Sequence, residues 1–114
     1  MAQKSSQPKV IVGIPAFNED KYIAGVILQS RQYAGTVIVV NDGSKDKTSK
    51  ISRLAGAQVV EHGVNRGYGS AIRSIIEASK KENADILVIL DGDSQHDPDD
   101  IPLLIEAVLK GSDV

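Results

Sequence analysis

Residues 10–14, 36–41, 58–61 and 86–90 form short runs of mainly β-branched and other apolar side chains, and each is followed by a helix-length segment. Runs this continuous suit strands covered on both faces, because a sheet wet on one side would alternate apolar with polar residues. The segments between them repeat apolar residues at helical spacing. Ile23, Val26 and Ile27 share one face, as do Ile51, Leu54 and Ala55, then Ile72, Ile75 and Ile76; Ile101, Leu104, Ile105 and Val108 predict a last helix. Boundaries are punctuated accordingly. Asp46 is placed to cap a helix N-terminus, Gly56 and Gly111 to end helices, and Asp97-Pro98 supplies a cap followed by proline at the first helical position. Strand and helix repeating with short loops predict an α/β fold of three layers, α/β/α, with a mostly parallel sheet and right-handed crossovers.

With 114 residues, 41% of them apolar and 25% charged, the chain is one domain, large enough for a core but small for an enzyme that binds two substrates. A net charge of −2 gives no electrostatic footprint for nucleic acid or anionic membrane, and Lys45, Lys47 and Lys50, set among Asp and Ser, read as a solvated surface. The absence of cysteine excludes disulfides and thiolate metal sites and fits a reducing, cytoplasmic setting. The longest apolar runs, 37–40 and 86–90, are far shorter than a membrane span, so attachment to the inner face of a membrane would need parts outside these residues. Residues 1–8 are polar and read as a disordered start rather than a signal peptide, leaving 9–114 as the organised part. Ser112-Asp113-Val114 reads as the first residues of a further strand, whose edge would otherwise stay unpaired, so the expectation is of a truncated domain.

In open parallel sheets, ligands bind beyond the carboxyl ends of the strands. That rule gathers the loops 15–19, 42–46, 62–69 and 91–97 into one prospective site. The strongest signal is Asp91-Gly92-Asp93 at the end of a buried strand. Two carboxylates there repel unless a cation or hydrogen bonds hold them, and Gly92 lets backbone come close to a ligand. Magnesium and manganese suit such a site, since they take few protein carboxylates and complete their shells with phosphate oxygens. Asp42 leaves its strand where it can accept from the imide or amide edge of a nucleobase, while Gly43 and Ser44 shape the turn. Capping and turn chemistry alone account for Ser44, Asp46 and Thr48. Pro15 and the small Ala16 expose backbone to a flat base or ribose; Asn18 and Glu19 either join them or begin the next helix. Phe17 reads as a core residue. Arg66, Gly67 and Gly69 precede a helix, where backbone amides meet a pyrophosphate or merely make a tight turn. His62 reads as structural or exposed, and His96 adjoins the acidic loop without a clear role.

Taken in order, VGIPAFNE, VIVVNDGSKDKT, NRGYGSAI and ILVILDGDSQHDPDDI span nearly the whole chain, and their spacing is far more specific than any one of them. With these segments the chain resembles the family 2 glycosyltransferases of Rossmann-like GT-A fold, nearest the branch of polyprenyl- and dolichyl-phosphate sugar synthases. The resemblance implies the donor half of a metal-dependent, inverting glycosyltransferase that uses a UDP- or GDP-linked sugar and a lipid-phosphate or saccharide acceptor. It implies that Pro15, Ala16, Asn18, Glu19, Asp42 and Gly43 hold the nucleoside, with Asp42 toward the base. Arg66 and Gly67 would lie along the nucleotide. Asp91, Gly92 and Asp93 would form the DxD motif at the diphosphate, with Asp91, Asp93 and Gln95 around Mg2+ or Mn2+. Asn41 stands where many members carry a first aspartate. The family's acceptor side and catalytic base come from segments after residue 114, so no base is named here.

The alternative reading is a nucleotide- and metal-binding module with no transferase activity of its own. A sugar-phosphate nucleotidyltransferase would want a glycine-rich, arginine-containing loop after the first strand, where this chain has Pro15-Ala16-Phe17. A receiver domain would want an acidic pair there.

Overall fold

The computed structural model describes residues 7–92 and 105–108. Its elements are β1 (Val10–Ala16), α1 (Ile23–Ser30), β2 (Thr36–Asp42), α2 (Thr48–Leu54), β3 (Gln58–His62), α3 (Tyr68–Lys81), β4 (Ile86–Ile89) and β5 (Ile105–Val108). The sheet runs β3-β2-β1-β4-β5. The first four strands are mutually parallel, as the strand–helix alternation predicts, and β5 joins β4 antiparallel.

Strand parity builds the two halves of the core. Val12, Ile14 and Ala16 of β1, Val37 and Val39 of β2, and Val88 and Leu90 pack with Ile23, Val26 and Ile27 of α1. Ile11, Ile38, Val40, Leu87 and Ile89 face the other way and pack with Ala71 and Ile75 of α3. Every strand residue of this kind is apolar because both faces carry helices, which is the physical origin of the continuous runs. The layers are therefore α/β/α. Among the described residues no helix is long and apolar enough to cross a membrane.

Three strands extend beyond their predicted ends, β1 through Ala16, β2 through Asp42 and β3 through His62. Pro15 is tolerated in this central strand because the β4 ladder ends at the Gly13–Ile89 pair, leaving Pro15 beside β2 alone. The predicted helical face of α2 needs correction: Leu54 is 78% exposed, while Thr48 and Ser52 are buried and Ile51 and Ala55 pack on the core. Ser52 donates its hydroxyl to the Thr48 carbonyl, which lets a polar residue take the buried position. Gly56 ends α2 with φ of 101°, as its role at a helix end requires.

The predicted last helix is also corrected, because Ile105–Val108 is a strand. Ile-Glu-Ala-Val fits either a helical or a strand period over four residues, and pairing with β4 satisfies backbone groups that would otherwise sit on an open edge. The tail 1–6, the cap at Asp97-Pro98, the glycine end at Gly111 and the closing Ser112-Asp113-Val114 lie outside the described residues.

Candidate functional site

Beyond the carboxyl ends of β1, β2 and β4 lies a cleft of about 360 Å3. Pro15, Ala16, Phe17 and Glu19 line it from the end of β1, and Asp42 from the end of β2. Asn65, Gly67, Tyr68 and Ala71 close it from the α3 side, and Asp91 and Gly92 from the end of β4. Described residues from each of the four loops singled out in the sequence thus meet in one place, as the strand-end rule anticipates. Of the candidate residues, Pro15, Ala16, Glu19, Asp42, Gly67, Asp91 and Gly92 line the cleft, whereas Asn18, Gly43 and Arg66 do not. Asp93, Gln95 and His96 lie outside the described residues.

Strand alternation separates Asn41 from Asp42. Asp42 follows the parity of Ile38 and Val40 toward α3 and the cleft, and it is only 5% exposed. Because it pairs with His62 at the end of β3, its carboxylate reaches the loop leaving that strand. Oδ1 accepts the Arg66 amide at 2.9 Å and His62 Nδ1 at 2.7 Å; Oδ2 accepts the Gly67 amide at 2.9 Å. Burial works to raise this carboxyl, but the bonds from the Arg66 amide, His62 and the Gly67 amide outweigh it and hold Asp42 below the usual carboxylate range. Its negative charge also sits at the N-terminus of α3, where the helix dipole favours it. This arrangement gives the amides of residues 66 and 67 the tight-turn role, the second of their two readings. Both amides are already committed to Asp42, and the Arg66 side chain is exposed outside the cleft.

Asn41 takes the other face. Its Nδ2 donates to Ser49 Oγ and to Glu61 Oε1, and its Oδ1 accepts the Ser44 amide. Glu61 in turn accepts Arg53 at 2.8 Å. Burial raises the Glu61 carboxyl, and hydrogen bonds from Ser49, Arg53 and Asn41 overcome that and hold it low. An aspartate at 41 would set a second carboxylate against Glu61, which explains why this chain carries the amide.

The first two loops are stitched together. The Asn18 amide donates to Ser44 Oγ and the Lys45 amide to Asn18 Oδ1. Glu19 N–H donates to Thr48 Oγ1, and Asp20 N–H to Asp46 Oδ2. The N-cap of α2 is Lys47 rather than the expected Asp46, but Asp46, one residue earlier, still accepts the Thr48 amide at the first turn. Asn18, with φ of 54°, serves as a strut between loops. Gly43 is required by its φ of 82° and because a Cβ there would strike the backbone of Val64 and Asn65.

At the end of β4, Asp91 is exposed and Gly92 is buried behind it. A Cβ on Gly92 would come within 3.3 Å of Ile14 and Ile23 and 3.4 Å of Glu19, so the strand end packs tightly beneath the exposed carboxylate.

Sequence reasoning missed three residues that line the cleft, Phe17, Tyr68 and Asn65. Phe17, read as core, is 46% exposed and lines the cleft, because β1 ends at Ala16 and carries the ring past the sheet. Tyr68, 58% exposed, stands on the cleft at the first residue of α3, and Asn65 lies nearby. His62, read as structural or exposed, takes the structural alternative: it is buried and bonded to Asp42. The available signal for His62 was its place at the last residue of the strand beside Asp42, which becomes informative only once the β2–β3 register is known.

Comparison with known proteins bears on this geometry. Residues 11–114 match the family described as Glycosyl transferase family 2. The UDP-N-acetylglucosamine–dolichyl-phosphate N-acetylglucosaminyltransferase of Methanococcus voltae is 34% identical over 87% of this chain and 47% of its own length. The dolichol-phosphate mannosyltransferase of Pyrococcus furiosus is 34% identical over 93% of this chain and 32% of its own. Among solved structures, glucosyl-3-phosphoglycerate synthase from Mycobacterium tuberculosis, in complex with Mn2+, UDP and glucosyl-3-phosphoglycerate, superposes with a TM-score of 0.66. It is 27% identical over 77% of this chain and 34% of that one. The chain thus spans less than half the length of the curated relatives it matches.

Proposed function

Since this chain belongs to glycosyl transferase family 2, we propose that its cleft is the donor site of a metal-dependent, inverting glycosyltransferase, binding a nucleoside-diphosphate sugar whose glycosyl group passes to a polyprenyl phosphate. The observation that carries this reading is the meeting of Asp42, Phe17, Tyr68 and Asp91 in one cleft at the carboxyl ends of a parallel sheet. Asp42 is an acceptor for the donor edge of a base. Phe17 and Tyr68 bring aromatic surface to its flat faces, a contact every base can make. Asp91 stands exposed where the diphosphate would reach. The relatives named for dolichyl phosphate support the acceptor class, and the neighbour solved with UDP and Mn2+ supports the donor and metal.

Asp91 is a group of the kind a hard divalent cation takes. Among the described residues no group of three His, Cys, Asp or Glu side chains converges. An exposed carboxylate at a strand end is nonetheless what Mg2+ or Mn2+ uses when phosphates fill most of the shell. Asp91 would hold the ion with Asp93 and Gln95, and when bound the ion neutralises charge building on the leaving diphosphate. The chain's own part is positional. Pro15, Ala16 and Glu19 border the nucleoside, and the loop bonds from Asn18 to Ser44 and from Glu19 to Thr48 keep that border in place. No residue in 7–92 is assigned as the base.

The test is sugar transfer by the natural full-length protein from UDP- and GDP-linked sugars to a polyprenyl phosphate, with Mn2+ and with chelator. Transfer should require the metal and drop at least ~100-fold in Asp91→Asn, the order seen when one electrostatic stabiliser of a transition state is removed. Undiminished transfer in chelator, or in Asp91→Asn, would defeat the reading.

A further inference from the structure

His62 is not among the residues that line the cleft, and the donor-site reading gives it no task. Its ring is nevertheless held at both nitrogens, Nδ1 by Asp42 Oδ1 at 2.7 Å and Nε2 by Ser74 Oγ at 2.8 Å. An ionised carboxylate has no proton to give, so Nδ1 carries the hydrogen and donates it. The Arg66 amide donates to the same oxygen. Those two bonds fill the two lone pairs of Oδ1, while Oδ2, bonded to the Gly67 amide, keeps one. Asp42, which lines the cleft, therefore keeps one open acceptor position instead of the two-oxygen fork of a free carboxylate.

We propose that His62 is a positioning residue that makes Asp42 a single-acceptor wall, and that the cleft thereby selects a base presenting one N–H between carbonyls, the imide edge of uracil, over guanine. Guanine presents N1–H and N2–H side by side, and the pair calls for both carboxylate oxygens. Against Asp42 one of those donors meets a filled oxygen, and an unpaired buried donor weakens binding roughly 10- to 100-fold. The selection rests on the donor-site reading above and adds to it the identity of the base. The order Asp42, His62, Ser74 does not make a hydrolytic triad. Ser74 lies within α3, where neighbouring amides are engaged in the helix and leave no donors for an oxyanion. Ser74 holds the ring, and the ring holds Asp42.

The experiment is calorimetric titration of the natural full-length protein with UDP and with GDP, both in Mn2+, for the wild type, His62→Gln and His62→Leu. The wild type should prefer UDP by roughly 10-fold or more. In His62→Leu, Oδ1 regains a lone pair and the UDP:GDP ratio should fall toward one. His62→Gln, whose amide can still donate to Oδ1, should keep most of the preference. Parallel weakening of both nucleotides in His62→Leu, with the ratio intact, would overturn the positioning role. If His62→Leu does not fold, His62→Met, which also lacks a donor for Oδ1, takes its place with the same expected fall in the ratio. GDP bound as tightly as UDP by the wild type would overturn the selection and leave the donor site standing, whereas binding of neither nucleotide would end both.

Discussion

At the end of β2, Asp42 is almost enclosed and three donors of the chain already hold its carboxylate. At the end of β4, Asp91 is exposed, with a buried glycine packed beneath it. Both aspartates border the same cleft. The difference follows from what each end is proposed to meet. A wall that reads a neutral base gains from being fixed before the ligand arrives, since little ordering is then left to binding. An end that meets a cation and phosphates needs its charge within reach of them. One aspartate is thus enclosed by the fold, and the other stands exposed at the cleft.

The largest effect that separates the two ends should come from Asp42→Ala. It leaves two backbone amides and a buried imidazole without their acceptor, and the expected loss of stability is about 3 kcal/mol or more, read by urea unfolding. A loss below about 1 kcal/mol would mean that water replaces the carboxylate easily and that the wall is not preorganised. Gly43→Ala should follow, at about 1–3 kcal/mol, from its positive φ and the collision with the 64–65 backbone. Its size measures how much of the wall depends on the neighbouring turn.

Acid should weaken the fold through its held carboxylates. Asp42, Asp46 and Glu61 are each held below the usual carboxylate range, so the folded state binds protons less readily than the unfolded one. Their stabilisation is complete above the unfolded values, near pH 4, and is lost as pH falls through the lower folded values. The urea midpoint should stay level from about pH 7 to 5 and drop below about pH 4. Asp42→Asn should make that drop shallower. The smallest change in stability should come from Asp91→Asn, under about 1 kcal/mol, even as metal-dependent nucleotide binding falls. A large loss of stability there would erase the contrast between the two ends.

Much of the fold was legible because parity and composition agree. Residues 10–14 and 36–40 are apolar at nearly every position, and only a sheet with helices on both sides satisfies that. The site was legible at the level of loops, since the strand-end rule needs only the order of elements. Individual roles were less so. Phe17 is apolar by type, and its place on the cleft depends on where β1 stops. The commitment of the Arg66 and Gly67 amides to Asp42 depends on the Asp42–His62 register, a contact across 20 residues of chain that no local pattern encodes. Residues 105–108 carry a pattern that fits two periods, and the open edge of β4 decides between them.

The most direct test is a crystal structure of the natural full-length protein with UDP and Mn2+. It should place the base in the cleft beside Phe17 and Tyr68, with its imide N–H on Asp42 Oδ2 and the diphosphate and metal at Asp91. Nucleotide bound elsewhere, or in the cleft with its phosphates at Asp42 and its base at Asp91, would contradict the account.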